Sequence, residues 1–274
     1  MQLIKQQINK TSATRLRGGN LMPPFGLGTW LLTSDTAATV AYALELGYPM
    51  IDTSSDYRTQ PGIGAALRMT GIRRENIFIS TKVEEADDAY ARTKNDLKEL
   101  GLQFADLMLI HRPPLAGAGE RLWEGLIRAR DEGLARDIGV SNYSPALIDE
   151  LVDASGEIPA VNQIEWSPFG HSEKMRRYCL EKNIVIQAYS PLTRATRLND
   201  AALMQLAQKY RKTAAQILIR WNIQQGTVPI PKANQKHHLE ENINVFDFEI
   251  GKDDIKLLNG LNEGYSSLGY LPYI

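Results

Sequence analysis

Eight short apolar runs, spaced roughly one βα unit apart and separated by longer segments of helical periodicity, constrain this 274-residue chain more than any other feature. The runs lie near 25–29 (FGLGT), 48–51, 76–81 (NIFIST), 105–111 (ADLMLIH), 136–141 (RDIGVS), 159–164 (PAVNQI), 184–189 (IVIQAY) and 227–231 (TVPIP). Each is short and most sit beside Gly or Pro or follow a helical pattern, which predicts buried strands. Between them, residues 34–46 place Ala37, Val40, Ala41 and Leu44 on one helical face, with Ser34 or Asp35 as N-cap and Gly47 as the stop. Residues 86–101 end at Gly101, and residues 119–132, with Leu122, Leu126 and Ala129 on one face, end at Gly133. Segments 145–154, 172–182, 200–210 and 213–225 continue the pattern.

Alternation of this kind implies parallel strands joined by right-handed crossovers. Eight units fit a closed (β/α)8 barrel, the TIM barrel, better than an open sheet, and such a barrel uses about 250 residues. The chain is therefore expected to be one domain over 1–274. A hairpin is expected at 12–25, turning on Gly18-Gly19-Asn20, with an insertion of two helices between 190 and 226. Helical additions are expected at the C-terminal end as well, and the tail 260–274 should pack as a loop.

Composition narrows the function classes. Thirty-one Lys and Arg oppose 32 Asp and Glu, for a net charge of −1, which argues against a nucleic-acid coat. A hydrophobic content of 43% is enough for a core. The single cysteine, Cys179, excludes an intramolecular disulfide and fits a reducing compartment. No apolar run approaches the roughly 18 residues of a membrane span, and the N-terminus MQLIKQQINK has no secretory h-region. A cytoplasmic protein without membrane or nucleic-acid partners is expected.

In such a barrel, chemistry sits at the C-terminal ends of the strands. Asp52 ends the second expected strand, with Tyr57 in the loop after it; Lys82 ends the third and His111 the fourth. Ser141 and Asn142 end the fifth, Gln163 the sixth, Tyr189 and Ser190 the seventh, and Lys232 follows the eighth. One such coincidence means little, but the whole set can converge on one cavity. Tyr is a poor acid near neutrality, and a nearby ammonium should lower its pKa by favouring the phenolate. An Asp can hold the ammonium, and a neutral His can orient and polarise a carbonyl oxygen. Asp52, Tyr57, Lys82 and His111 could therefore protonate an oxygen that is becoming an alkoxide, which is what carbonyl reduction by hydride requires.

The segments GLGTW (26–30), DTSSDY (52–57), STK (80–82), LIH (109–111), IGVSNY (138–143), VNQIEWSP (161–168), AYSPL (188–192), PIPK (229–232) and EENINVFDFEI (240–250) resemble, in order, the aldo-keto reductase superfamily. The resemblance implies a TIM barrel that binds NADPH without a Rossmann fold. It implies a catalytic tetrad of Asp52, Tyr57, Lys82 and His111, with Tyr57 as general acid; the five-residue spacing to Tyr57 selects Asp52 over Asp56. Gly28, Thr29 and Trp30 would border the cofactor together with Asp52. Ser141, Asn142 and Gln163 would hold the nicotinamide carboxamide, and Tyr189 would stack on the ring. Ser190 and Leu192 would meet the pyrophosphate, Lys232 the 2′-phosphate, and Glu241 and Asn242 the adenine. The partner is then a small carbonyl compound, and a monomer suffices.

Departures from the family pattern carry information. After the histidine the family usually has Trp; here Arg112 stands, which suggests carboxylate-bearing or otherwise polar carbonyl substrates in a pocket walled by Trp30, Tyr57, His111 and Arg112. Tyr265, Tyr270 and Tyr273 are further candidate walls. In the 2′-phosphate region Ala233 replaces a Ser and His238 stands where Arg is usual, with Asn234 a partial substitute. NADPH should remain usable with reduced preference, leaving NADH as a second donor.

Competing readings are a Schiff-base aldolase on the same barrel using Lys82, and a non-catalytic nicotinamide-nucleotide-binding regulatory subunit. Gly62-Ile63-Gly64 and Gly117-Ala118-Gly119 lack the third glycine of a dinucleotide fingerprint. No ligand set surrounds His237-His238, and no metal is expected.

Overall fold

The computed structural model describes residues 9, 11–32, 35–86 and 88–274; Ser34 and the segment 1–8 lie outside them. An antiparallel hairpin comes first, β1 (Thr14–Arg15) and β2 (Leu21–Met22), on the expected glycine turn. An eight-stranded parallel sheet follows, hydrogen-bonded in sequence order: β3 (Leu27–Gly28), β4 (Met50–Asp52), β5 (Phe78–Val83), β6 (Ala105–Ile110), β7 (Ala135–Ser141), β8 (Val161–Glu165), β9 (Val185–Tyr189) and β10 (Val228–Pro229). Its ends meet: the Gly26 amide donates to Pro229 O and the Gly28 amide to Pro231 O, both at 3.1 Å. Gly28 permits this closure, because a Cβ there would stand 2.6 Å from Ile230 O.

The helices surround the strands: α1 (Thr36–Glu45), α2 (Gln60–Thr70), α3 (Ala89–Leu100), α4 (Glu120–Asp131), α5 (Pro145–Ser155), α6 (Glu173–Glu181), α7 (Ala201–Tyr210), α8 (Ala214–Gln224), α9 (Lys236–Ile243) and α10 (Lys252–Asn259). Both α7 and α8 fall between β9 and β10, the expected insertion. Caps fix the starts: Asp35 accepts from the Ala38 amide at 3.1 Å, and Thr213 and Gln216 form a reciprocal capping box on α8. Helix α2 has no counterpart in the sequence pattern, because Gly62 and Gly64 interrupt its apolar face. They are packing notches. A Cβ at Gly64 would lie 2.5 Å from Leu100 O, and one at Gly62 would lie 2.7 Å from the Thr36 Cβ.

Leu16 and Met22 of the hairpin pack with Met50, Phe78, Leu107, Leu109, Val161, Val228 and Ile230, so the hairpin plugs the end of the barrel where the strands begin. The Asp137 carboxylate at the start of β7 secures it, accepting from the Gly18 amide at 2.9 Å and from the Asn20 side chain. The opposite end, where the strands finish, is left for a cavity. The tail 260–274 crosses that end as a loop. Glu165 accepts from the Ser266 hydroxyl at 2.7 Å and the Ser267 amide at 2.8 Å, and the Tyr273 hydroxyl donates to Glu165 O at 2.6 Å. Cys179 is buried in α6 against Met175. Among the described residues no helix is long and apolar enough to cross a membrane.

Candidate active site

A cavity of about 630 Å³ opens at the C-terminal ends of the strands, and the polar residues singled out along the sequence converge on it. Asp52 is the last residue of β4, and Lys82 lies near the end of the neighbouring β5, where alternation turns its side chain inward. Lys82 is wholly buried; its Nζ donates to Asp52 Oδ2 at 2.7 Å and to Thr53 O at 2.9 Å. Tyr57 ends a 3-10 turn (Ser55–Tyr57) that Ser54 caps and a left-handed Arg58 closes. The Lys82 ammonium stands 4.9 Å from the centre of the Tyr57 ring, and the His111 ring meets Tyr57 edge-on at 5.7 Å.

Burial raises the Tyr57 pKa; the Lys82 charge lowers it, as the sequence reading expects, but does not outweigh the loss of water. The phenol therefore stays protonated. Burial favours the neutral amine of Lys82, yet Asp52 and Tyr57 outweigh it and raise the Lys82 pKa, so the ammonium persists.

A second set of side chains joins the strand ends. The Ser141 hydroxyl donates to Gln163 O at 2.7 Å, and Asn142, in the left-handed region at φ 67°, donates from Nδ2 to His111 O at 3.0 Å. Asn tolerates that conformation better than most residues. The Tyr189 hydroxyl donates to Asn142 Oδ1 at 2.8 Å. Gln163 Nε2 donates to Asp52 Oδ1 at 2.8 Å and to Gln187 Oε1 at 2.7 Å.

Gly28, Thr29, Trp30, Asp52, Tyr57, His111, Arg112, Ser141, Asn142, Gln163, Tyr189, Ser190, Leu192, Lys232, His238, Glu241 and Asn242 all line the cavity. Lys82 stands behind Asp52 and Tyr57. Ala233 packs instead into the core with Leu239 and Val245, and neither it nor Asn234 lines the cavity. The three tail tyrosines do not line it either: Tyr273 is buried against Trp166, the Tyr265 hydroxyl meets Thr196, and Leu268 is the tail residue that reaches the cavity.

Two charged residues were missed by sequence reasoning. Arg194 lines the cavity with its guanidinium 4.5 Å from the Trp30 ring, in a turn where Thr193, Arg194 and Ala195 all have positive φ. Nothing periodic marks such a turn. Glu84 accepts at both carboxylate oxygens from His111 Nδ1, at 2.7 and 2.9 Å. Its signal was present, since it lies two residues beyond Lys82 and a strand repeats every two. Asp56, Glu84 and His111 also bring potential metal-ligand atoms within 4.8 Å of one another, the one such grouping among the described residues. The glycines of both Gly-x-Gly motifs stand away from the cavity lining.

The aldo/keto reductase family matches residues 24–263. The chain is 37% identical over 255 residues to an aldo-keto reductase of Mycobacterium tuberculosis, covering 91% of this chain and 90% of that protein. It is 35% identical over 255 residues to the glyoxal reductase of Bacillus subtilis, covering 91% and 92%. An aldo-keto reductase of Bombyx mori, solved in complex with NADP, superimposes with a TM-score of 0.88 at 31% identity, covering 97% of this chain and 99% of that one.

Proposed function

The chain belongs to the aldo/keto reductase family, and on that premise we propose that it reduces aldehydes or ketones to alcohols with NADPH, using Tyr57 as the general acid. The observation that carries the reading is the buried Asp52–Lys82 pair set beneath Tyr57 and beside His111 at a cavity wall.

The donor set fits a nicotinamide dinucleotide phosphate. Arg194 and Lys232 line the cavity, and among the described residues neither forms an ion pair, so both charges are available to phosphates. Ser141, Asn142 and Gln163 would hold the carboxamide, beside the Tyr189 ring. Ser190 and Leu192 lie where the pyrophosphate would pass, and Glu241 and Asn242 would meet the adenine. When bound, the nicotinamide supplies the hydride.

The chain's own residues handle the proton. Tyr57 enters turnover protonated and gives the proton on Oη to the carbonyl oxygen. The Lys82 ammonium stabilises the phenolate left behind, and Asp52 keeps that ammonium in place. The His111 ring faces the same carbonyl oxygen and orients it. A Schiff-base role for Lys82 asks for a neutral amine, which its pairing with Asp52 opposes.

Arg112 favours polar or carboxylate-bearing carbonyl compounds: it lines the cavity mouth, half-exposed, at 3.8 Å from Glu84. The name of the Bacillus subtilis relative, glyoxal reductase, agrees with a small polar substrate. Every side chain in this scheme comes from one chain, so a monomer is expected to be active. Tyr57→Phe tests the reading. Turnover should fall by a factor on the order of 10²–10⁴ while NADPH still quenches tryptophan fluorescence as in the parent enzyme; a variant that keeps most of its turnover would overturn it.

A further inference from the structure

We propose that Glu84 is a positioning residue: it holds the proton of His111 on Nδ1, so that Nε2 donates to a substrate carbonyl only while the ring is protonated. This rests on the reading above that His111 faces the substrate oxygen.

The geometry leaves His111 little choice. Both Glu84 oxygens lie within hydrogen-bond distance of Nδ1, at 2.7 and 2.9 Å. A carboxylate only accepts, so Nδ1 carries the proton. Glu84 is itself held: the Ser54 hydroxyl donates to it at 2.8 Å, and Arg112 stands at 3.8 Å. Burial opposes its ionisation, but the His111 and Ser54 hydrogen bonds and the Arg112 charge outweigh burial and keep its pKa below the ordinary value. A neutral imidazole has one N–H, and here Glu84 takes it. On this cavity-lining ring Nε2 is then a lone pair, suited to accept from an alcohol and unable to donate to a carbonyl. Protonation supplies the missing donor.

The groups around the ring set where that happens. Lys82 from β5 and Arg112 from the loop after β6 oppose protonation. Glu84, just past β5, supports it. Asp56 and Tyr57 lie in the turn after β4, and Asn142, after β7, binds the His111 carbonyl. Burial first, and then Lys82, hold the ring's pKa below its ordinary value, with Glu84 pulling it back up. Carbonyl reduction should therefore weaken as pH rises through the His111 titration, and alcohol oxidation should strengthen. No net proton leaves His111: Tyr57 gives the proton that the alcohol keeps, and the imidazolium retains its own.

Two variants separate charge from tautomer. Glu84→Gln keeps an acceptor for Nδ1–H but loses the charge, so the falling limb of kcat/KM for reduction should move to lower pH, with a loss on the order of tenfold at neutral pH. Glu84→Leu frees Nδ1, lets the neutral ring carry its proton on Nε2, and should flatten the limb. Histidine 15N spectra, assigned with His111→Asn, should show the neutral ring protonated at Nδ1 in the parent and at Nε2 in Glu84→Leu. The inference is overturned if the limb stays put in both variants, or if the Leu variant keeps its proton on Nδ1. If no carbonyl compound is reduced at any pH, the proposed function fails, while the spectra still decide the tautomer.

Discussion

Gln163 on β8 donates from Nε2 to Asp52 Oδ1 at 2.8 Å, while the other oxygen of that carboxylate takes Lys82 Nζ at 2.7 Å. Asp52 is thus bound from two sides of the barrel. The side chain proposed to hold the carboxamide touches the one that holds the ammonium, so the two halves of the site share a single carboxylate.

Asp52→Asn should cost stability as well as rate. Lys82 is fully buried, and its ammonium would lose its counter-ion with no water to replace it. Removing one partner of a buried pair costs about 3–5 kcal/mol. Urea denaturation at neutral pH should show a loss of that size, together with a fall in turnover. A variant as stable as the parent would mean that Lys82 does not depend on Asp52 for its charge.

Lys232→Ala should raise KM for NADPH by about tenfold and leave KM for NADH within about twofold. Burial lowers the Lys232 pKa, yet this lysine, the last residue of PIPK, lines the cavity and is the cation proposed to meet a 2′-phosphate. Ala233 is buried and brings no hydroxyl, and His238 lines the cavity in place of a permanent charge. The parent enzyme should accordingly prefer NADPH by less than about a thousandfold, which is ~4 kcal/mol. A matched effect on both cofactors would remove Lys232 from the phosphate site.

The catalytic candidates were legible because a barrel strand has a period of two and its chemistry lies where the apolar run stops. Asp52, Lys82 and His111 each sit at such a stop. The same rule reaches Glu84, but its position just past β5 reads as a solvated loop carboxylate until the fold sets it against His111. Arg194 was hidden for a different reason: a run of left-handed residues has no sequence period. Helix α2 was hidden by its own packing glycines. The role of the tail was illegible as well, since the carboxylate that pins it, Glu165, is more than a hundred residues away in sequence.

Arg112→Ala should raise KM for keto acids by about fivefold and leave neutral aldehydes nearly unchanged. The effect is small because Arg112 is half-exposed and Glu84, at 3.8 Å, already engages part of its charge. An exposed ion pair is worth about 1 kcal/mol or less. Steady-state kinetics on one keto acid and one neutral aldehyde of similar size decide the matter; equal effects on both would assign Arg112 to general packing.

Asp96 should make the fold less stable as pH rises. It is fully buried on α3, with Arg92 Nε at 2.9 Å. Burial raises its pKa to about 7, against the lowering effects of Arg92 and Gln60. The folded state therefore binds this proton more tightly than the unfolded state, whose carboxyl titrates near 4. The stability from protonated Asp96 is complete below about pH 4 and drains away as pH climbs through 7. Asp96→Asn keeps the neutral shape at every pH. Its melting temperature relative to the parent should accordingly rise between pH 5 and pH 8, with a gain on the order of 2–3 kcal/mol across that range. A difference that stays flat across that range would show that Asp96 is ionised throughout and that Arg92 fully compensates its burial.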